Sequence, residues 1–231
     1  MRPLAPQLAL WSRFVLALAL AGATLGASPA RADGPGDGIY RRFDTDLALH
    51  LAAGGGAWLD GAEARATTLV ELRARVVDAA GPFVAFQGAP DAPGVLVAGI
   101  ELRPLWPALF LVNRFTGHEW LDLFLQSLSV ELGVAVLPLG GPDALDAERG
   151  LGLAVGLGVD VPLVLPSRTQ GAFRGLALRL MARRVDATPG YRAAPEERDL
   201  SHWTIGATLG ASFGVGVRAS DEPARYRVRE R

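Results

Sequence analysis

From Leu151 to Leu163 the chain alternates without a break. Leu151, Leu153, Val155, Leu157, Val159, Val161 and Leu163 take every second position, with Gly152, Ala154, Gly156, Gly158, Asp160 and Pro162 between them. Successive side chains of a strand point to opposite faces, so this is a strand with one wholly aliphatic side. Trp203 to Val217 repeats the pattern. Trp203, Ile205, Ala207, Leu209, Ala211, Phe213, Val215 and Val217 share a face, opposite Thr204, Gly206, Thr208, Gly210, Ser212, Gly214 and Gly216. Such small residues make a poor solvated surface but a good wall for a crowded interior.

Five further stretches alternate less cleanly. Phe43, Thr45, Leu47, Leu49 and Leu51 oppose Asp44, Asp46, Ala48, His50 and Ala52; Val70, Leu72, Ala74 and Val76 oppose Glu71, Arg73 and Arg75. The same holds for Leu96 to Arg103, with Glu101 and Arg103 on the polar side, and for Ser127 to Val136, with Glu131. In Leu176 to Arg183, Arg179 and Arg183 oppose Leu176, Leu178 and Leu180. A soluble sandwich would put its aliphatic faces inward and these charges in water. Mixed signs at short spacing, as in Glu71-x-Arg73-x-Arg75, instead suit a closed barrel. There the charges pair across the interior, small walls make room for long side chains, and the aliphatic faces meet lipid. Closure is required because an open sheet edge cannot face hydrocarbon.

Single-chain bacterial barrels carry an even number of strands, and seven are visible. The spacing favours Ala108 to Phe115 as the eighth, ahead of a short strand near Gly38 or the tail after Arg218. Turn-rich composition marks Asp60–Arg65, Ala79–Pro93, Gly140–Arg149, Pro166–Gly171 and Asp186–Arg198 as connections. Between Thr116 and Leu128 the period changes. Thr116-Gly-His-Glu119 reads as a capping box, and Trp120, Leu121, Phe124, Leu125 and Leu128 follow at helical spacing, with Asp122 and Gln126 turned away. A short amphipathic helix at 117–126 is expected at a membrane interface or a barrel end. Phe43, Trp106, Trp120, Trp203 and Phe213 are the expected interface aromatics. Trp203 and Phe213 lie ten residues apart, which spans about 25 Å along a strand tilted by ~40°, near the height of an outer-membrane apolar band.

The ends and the composition narrow the compartment. Arg2 and Arg13, an apolar run from Phe14 to Ala27 and Ala30-Arg31-Ala32 form a cleavable export signal over 1–32, making Asp33 the mature N-terminus. The apolar run is shorter than the ~20 residues of a spanning helix. There is no cysteine, which excludes disulfides, thiolate metal sites and a lipid-modified N-terminal cysteine. All 23 basic residues are Arg against 24 acids; three of the Arg fall in the signal, so the mature chain is weakly acidic and nucleic acid is not an expected partner. The 199 residues from Asp33 suit one domain, with 218–231 a charged tail.

No catalytic constellation stands out. Gly210-Ala-Ser212-Phe-Gly214 matches G-x-S-x-G, but the motif works at a strand-to-helix turn with a later His; Ser212 is mid-strand and no His follows it. The glycines of 150–158 miss the spacing of a nucleotide loop. His50, His118 and His202 are the only histidines, and none is at metal-ligand spacing from another. His202 stands beside Ser201, with Asp199 nearby, but adjacent residues of a strand point to opposite faces and do not form a catalytic set alone. No enzyme activity, cofactor or metal is expected. The constellation that remains is the interior charge set: Asp44, Asp46, His50, Glu71, Glu101, Glu131 and Asp160 with Arg73, Arg75, Arg103, Arg179 and Arg183.

In pattern and size, residues 40–217 resemble the small eight-stranded outer-membrane β-barrel proteins, a likeness of architecture without a diagnostic motif. The resemblance implies an antiparallel transmembrane barrel of about eight strands, monomeric, surrounded by outer-membrane lipid and inserted by the barrel-assembly machinery. Those proteins usually end in an aromatic residue that this machinery recognises, whereas here a charged tail, Tyr226 to Arg231, follows Phe213. The expected role is structural, adhesive or interaction-type, with a salt-bridged interior. A narrow pore and a soluble periplasmic ligand-binding β-protein are the alternatives.

Overall fold

The computed structural model describes residues 40–42, 45–61, 63–89, 92–139, 150–187 and 201–216. The expected signal segment 1–32, Phe43, Asp44, the position near Gly38 and the expected tail 218–231 lie outside these residues. Eight strands form one closed antiparallel barrel in chain order, with β1 hydrogen-bonded to both β2 and β8. They are β1 (Leu47–Asp60), β2 (Glu63–Val76), β3 (Ala80–Ala89), β4 (Ala92–Leu102), β5 (Ser129–Leu139), β6 (Gly150–Val164), β7 (Phe173–Ala187) and β8 (His202–Val215). Two short helices, α1 (Leu105–Leu111) and α2 (Glu119–Gln126), connect β4 to β5.

The register fixes the barrel's shape. Followed once round, the pairings lead from Leu47 through Val76, Ala80, Leu102, Val130, Leu157, Ala182 and Ile205 to Ala57, ten residues further along β1. That stagger over eight strands, with ~3.3 Å per residue and ~4.8 Å between strands, sets a tilt of about 41° and a radius of about 8 Å. Long side chains from opposite walls therefore meet at the axis. An even stagger also keeps every strand's aliphatic positions on the same side of the sheet.

That side is the outside. Leu72, Ile100, Leu132, Leu153, Leu157, Leu180, Ile205 and Leu209 are all exposed, Leu153 to 67 %. Among the described strand residues, the outward positions carry no charge until Arg184 and Asp186, which pair at 2.6 Å beside Trp203. Inside, the small faces do what their size suggests. A Cβ on Gly156 would come within 2.8 Å of Glu131 Oε2, and one on Gly158 would collide with the Arg179 guanidinium.

The eighth strand is not 108–115. It is β3, within the stretch whose Gly81 and Pro82 read as a turn. Pro82 sits on the outward face beside Val84 and Phe86, while Phe83, Ala85 and Gln87 are buried. Its pairing with β2 includes Arg73 with Phe83 and Val76 with Ala80. The missing amide of a proline is therefore tolerated here because β4 and the rest of β3 hold the ladder. The first four residues of that expected strand, 108–111, belong instead to helix α1, Leu105–Leu111. β1 also runs on through Gly54–Gly56, where the sequence reading stopped at Ala52. A Cβ on Gly54 would collide with the carbonyl of Ala207, so the glycines permit a close β1–β8 seam.

α2 forms where the helical spacing placed it, but the capping box does not. His118 occupies the N-cap position without a side-chain cap. The Thr116 amide donates to Asp122 Oδ1 at 2.8 Å, and Glu119 accepts from the backbone and hydroxyl of Ser167 instead. Its two faces are inverted relative to a soluble helix. Asp122 and Gln126 are buried towards the barrel, while Trp120, Leu121 and Leu125 are exposed.

Candidate functional site

The interior has three layers. At the β1–β2 hairpin end, Trp58, Phe83, Ala85, Val95, Val97, Ala135, Leu137, Ala154 and Val185 form an apolar cluster. Trp58 stacks on His202 with ring centroids 3.4 Å apart, and His202 Nε2 lies 2.9 Å from Gln87 Nε2. These groups are all buried. The Trp58–His202–Gln87 set went unread in the sequence. Its signal was the even-numbered continuation of β1, hidden behind three glycines.

The second layer is the ion-pair network. Glu71, Arg73 and Arg75 come from β2, Glu101 from β4, Glu131 from β5, Asp160 from β6, and Arg179 and Arg183 from β7; Arg103 follows β4. Arg73 bridges Glu71 and Glu131, both at 2.8 Å. Arg183 reaches Glu131 at 2.7 Å and Glu71 at 3.0 Å. Arg75 holds both oxygens of Glu101, at 2.7 and 3.2 Å. Arg179 contacts Glu131 and Asp160 at 2.8 Å and Glu101 at 3.0 Å, and Arg103 pairs with Asp160. Charges from facing strands thus share partners, which a ~8 Å radius permits. Phe83 marks the boundary with the apolar layer, with Arg73 and Arg183 at 5.1 and 5.4 Å from its ring.

Asp78 completes this layer and was not read from the sequence. It accepts from Arg103 at 3.1 Å and Arg42 at 3.3 Å and lies 3.6 Å from Arg75. It sits in the three-residue β2–β3 turn, where Val77 and Asp78 both have positive φ, 49° and 55°. A β-branched residue in that region is strained. The turn is pinned on both sides: the Val77 amide donates to Asp46 O at 3.1 Å, and its carbonyl accepts from Trp106 Nε1 at 2.8 Å. With Asp78, five carboxylates face the five network arginines among the described residues. His50 Nε2 accepts from Arg75 at 2.9 Å. Asp46, expected beside His50, is instead exposed at the bend before β1, because the strand begins one residue later.

The third layer is a roof at the opposite end. Tyr40 donates to Asp122 at 2.6 Å; Arg41 donates to the carbonyls of Thr169 and Gly171 at 2.9 and 3.0 Å; Arg42 donates to Gln126. Arg42 also lies 4.2 Å over the Trp106 ring. Trp106 is thus buried beneath α1 and not an outward interface aromatic, because it sits on a helix folded against the β2–β3 turn. Trp120, by contrast, is exposed, stacks on Phe124 at 5.4 Å and donates to Pro162 O at 2.9 Å. Trp203 and Phe213 occupy opposite ends of the outward face of β8, and Phe213 contacts Phe173 at 5.8 Å. Burial on its own would raise the Asp78 carboxyl, but Arg103, the His50 contact, Arg42 and Arg75 hold it well below the usual range. Burial likewise works against ionised Asp122, yet Tyr40 and the Thr116 amide keep it lowered. Desolvation brings Arg42 down to about 10.

Ser212 faces the interior in register with His50 on the neighbouring strand. The His50 nitrogen that would serve as a base is held by Arg75. No group of three or more metal-binding side chains occurs among the described residues. No family model, curated protein or solved structure matches the chain.

Proposed function

We propose that the mature chain is an integral outer-membrane β-barrel protein of structural, adhesive or interaction type, its interior filled by an ion-paired plug. The observation that carries this reading is the polarity of the closed sheet. Aliphatic side chains are exposed around its circumference, while Glu71, Glu101, Glu131 and their arginines are buried inside. Water would penalise this arrangement over the whole outer wall, since soluble monomers rarely expose more than a few hundred Å² of contiguous apolar surface. Lipid rewards it. The inverted polarity of α2 extends the same logic to the barrel end, where Trp120, Leu121 and Leu125 would rest at the headgroup level. Barrel-assembly machinery and outer-membrane lipid are then the partners, and no nucleic acid is involved.

The pore alternative is disfavoured by the apolar layer, in which Val95, Val97, Ala135 and Val185 are fully buried and Trp58 and His202, from the neighbouring strands β1 and β8, stack inside the barrel. The soluble ligand-binding alternative is disfavoured by the outer wall. Two measurements test the reading. Cell fractionation should place the protein in the detergent-extractable outer membrane, and reconstitution in a planar bilayer should give no steady current. Recovery in the periplasmic fraction without detergent would overturn the membrane assignment. A steady ohmic current would overturn the plug and promote the pore.

A further inference from the structure

From Leu105 to Val112 the connection between β4 and β5 reads Leu-Trp-Pro-Ala-Leu-Phe-Leu-Val. The only polar side-chain atom in this run is the Trp106 ring nitrogen, which donates to Val77 O at 2.8 Å. A helix that is apolar on every side belongs in a protein core or in lipid. α1 is in no core. Of its seven residues only Trp106 is buried, and Leu109 is half-buried. Leu105, Pro107, Ala108, Phe110 and Leu111 are exposed, as is the C-cap Val112. At ~100° per residue these positions cover about 220° of the helix circumference. Leu111 is 80 % exposed, against 67 % for Leu153 on the outer wall.

This apolar tip is built into the fold. Asn113 follows the C-cap with φ 48°, and its amide donates to Phe110 O at 3.1 Å. The Arg114 amide donates to Leu109 O at 2.9 Å. Those two bonds are the Schellman closure of a helix C-terminus, with Asn in the left-handed position that Gly usually takes. On the opposite side Trp106 fastens α1 to the β2–β3 turn, and Arg42 lies 4.2 Å over its ring. Phe110, Leu111 and Val112 are therefore presented outward from a fixed frame.

The surroundings say what covers them. The chain enters the connection from Leu102 and leaves it through Leu128, both exposed, so its apolar surface continues that of the outer wall. α2 adds Trp120, Leu121 and Leu125 to the same surface. A rigid protein partner covers one face of a helix. An apolar arc of more than half the circumference suits a fluid occupant that conforms to it. The first charge beyond the tip is the exposed Arg114, whose long side chain can keep its guanidinium at the phosphates while its stem lies against apolar surface.

We infer that α1 is a wedge embedded in the phospholipid leaflet bordering this end of the barrel, with Leu111 and Val112 among the acyl chains and Arg114 at the phosphates. The inference rests on the reading of the outer wall as lipid-facing and adds a segment outside the strands to the lipid contact.

The chain has no cysteine, so single nitroxide labels report single positions. The mature chain is labelled in turn at Leu111→Cys, Arg114→Cys, Leu157→Cys and Glu63→Cys and reconstituted in vesicles of phosphatidylcholine with phosphatidylglycerol. Relaxation by oxygen, which partitions into lipid, is compared with relaxation by a nickel chelate, which stays in water. Leu157 reports the wall, and Glu63, on the β1–β2 hairpin, reports water. Labels at 111 and 157 should favour oxygen, each by several-fold over the label at 63, and the label at 114 should favour the chelate. Ala108→Cys is a smaller change on the same exposed arc, and it decides the matter if Leu111→Cys does not fold. Position 157 in lipid with 108 and 111 in water overturns the wedge and leaves the wall reading standing. Both regions in water overturn both. Spin–spin broadening between labels at 111 on separate molecules would mean that a second copy covers the tip, which also overturns the wedge.

Discussion

At the β1–β2 hairpin end of the barrel, Trp58, Val95, Val97 and Leu137 fill the interior much as they would fill any protein core. A few residues along the same strands, Glu71, Glu101 and Glu131 replace them, locked to Arg73, Arg75, Arg179 and Arg183. Both layers are buried, yet they stabilise by different physics. The apolar layer gains from burial and dispersion in proportion to area. The ionic layer carries a large desolvation cost that only complete pairing offsets, so its members depend on one another. The contrast teaches that one strand pattern can build a tolerant plug at one end and an intolerant one beside it.

The sharpest way to break this contrast is Glu131→Leu. Glu131 is shared by Arg73, Arg179 and Arg183, so its removal strands buried cations and should cost about 3–5 kcal/mol in urea unfolding of the reconstituted protein. Val97→Ala in the apolar layer should cost about 2 kcal/mol. Equal losses would mean that the two layers do not differ as described.

Next in size is the outer wall against the inner. Leu157→Arg near mid-strand should destabilise the lipid-embedded form by ~2–4 kcal/mol. The neighbouring Gly158→Val, on the inward face, should cost ~1–3 kcal/mol through overlap with Arg179. A Leu157→Arg variant as stable as the wild type in lipid would place that face in water.

The smallest expected effect concerns the roof. Asp78 and Asp122 are both held below the ordinary carboxylate value of 3.8. A depressed carboxylate contributes stability that is complete above its unfolded-state pKa and is lost as pH falls through the folded-state value. Acidification below about pH 4 should therefore loosen the segment at Tyr40–Arg42 before the barrel unfolds. Trp106 fluorescence would report it, since Arg42 lies over that ring. Asp122→Asn should reduce the effect, and a roof equally tight at acid pH in wild type and variant would remove these carboxylates from its closure.

Much of this architecture was legible because period two is a local property. The faces of β6 and β8, the inward set Glu71, Arg73, Arg75, Glu101, Glu131, Arg179 and Arg183, and the place of α2 follow from side-chain alternation and helical spacing along single segments. The failures were where a local signal was overruled by a neighbour. Gly81 and Pro82 read as a turn, yet flanking strands recruit them into β3. The alternation was followed only to Ala52, yet β1 continues through Gly54–Gly56, where β8 comes close enough to require glycine. Glu119 suits a capping box, yet Ser167 takes its carboxylate.

The sequence by itself determined which face of each strand is greasy and which is charged, since backbone geometry sends alternate side chains to opposite sides. Only the tertiary structure decided which carboxylate meets which guanidinium, because that depends on a stagger accumulated over all eight strands. It also decided that Asp78 and Arg42 join the interior. A strained turn and a strap across the barrel end each carry one charge inward, outside the alternation, and these are placed by closure of the whole sheet.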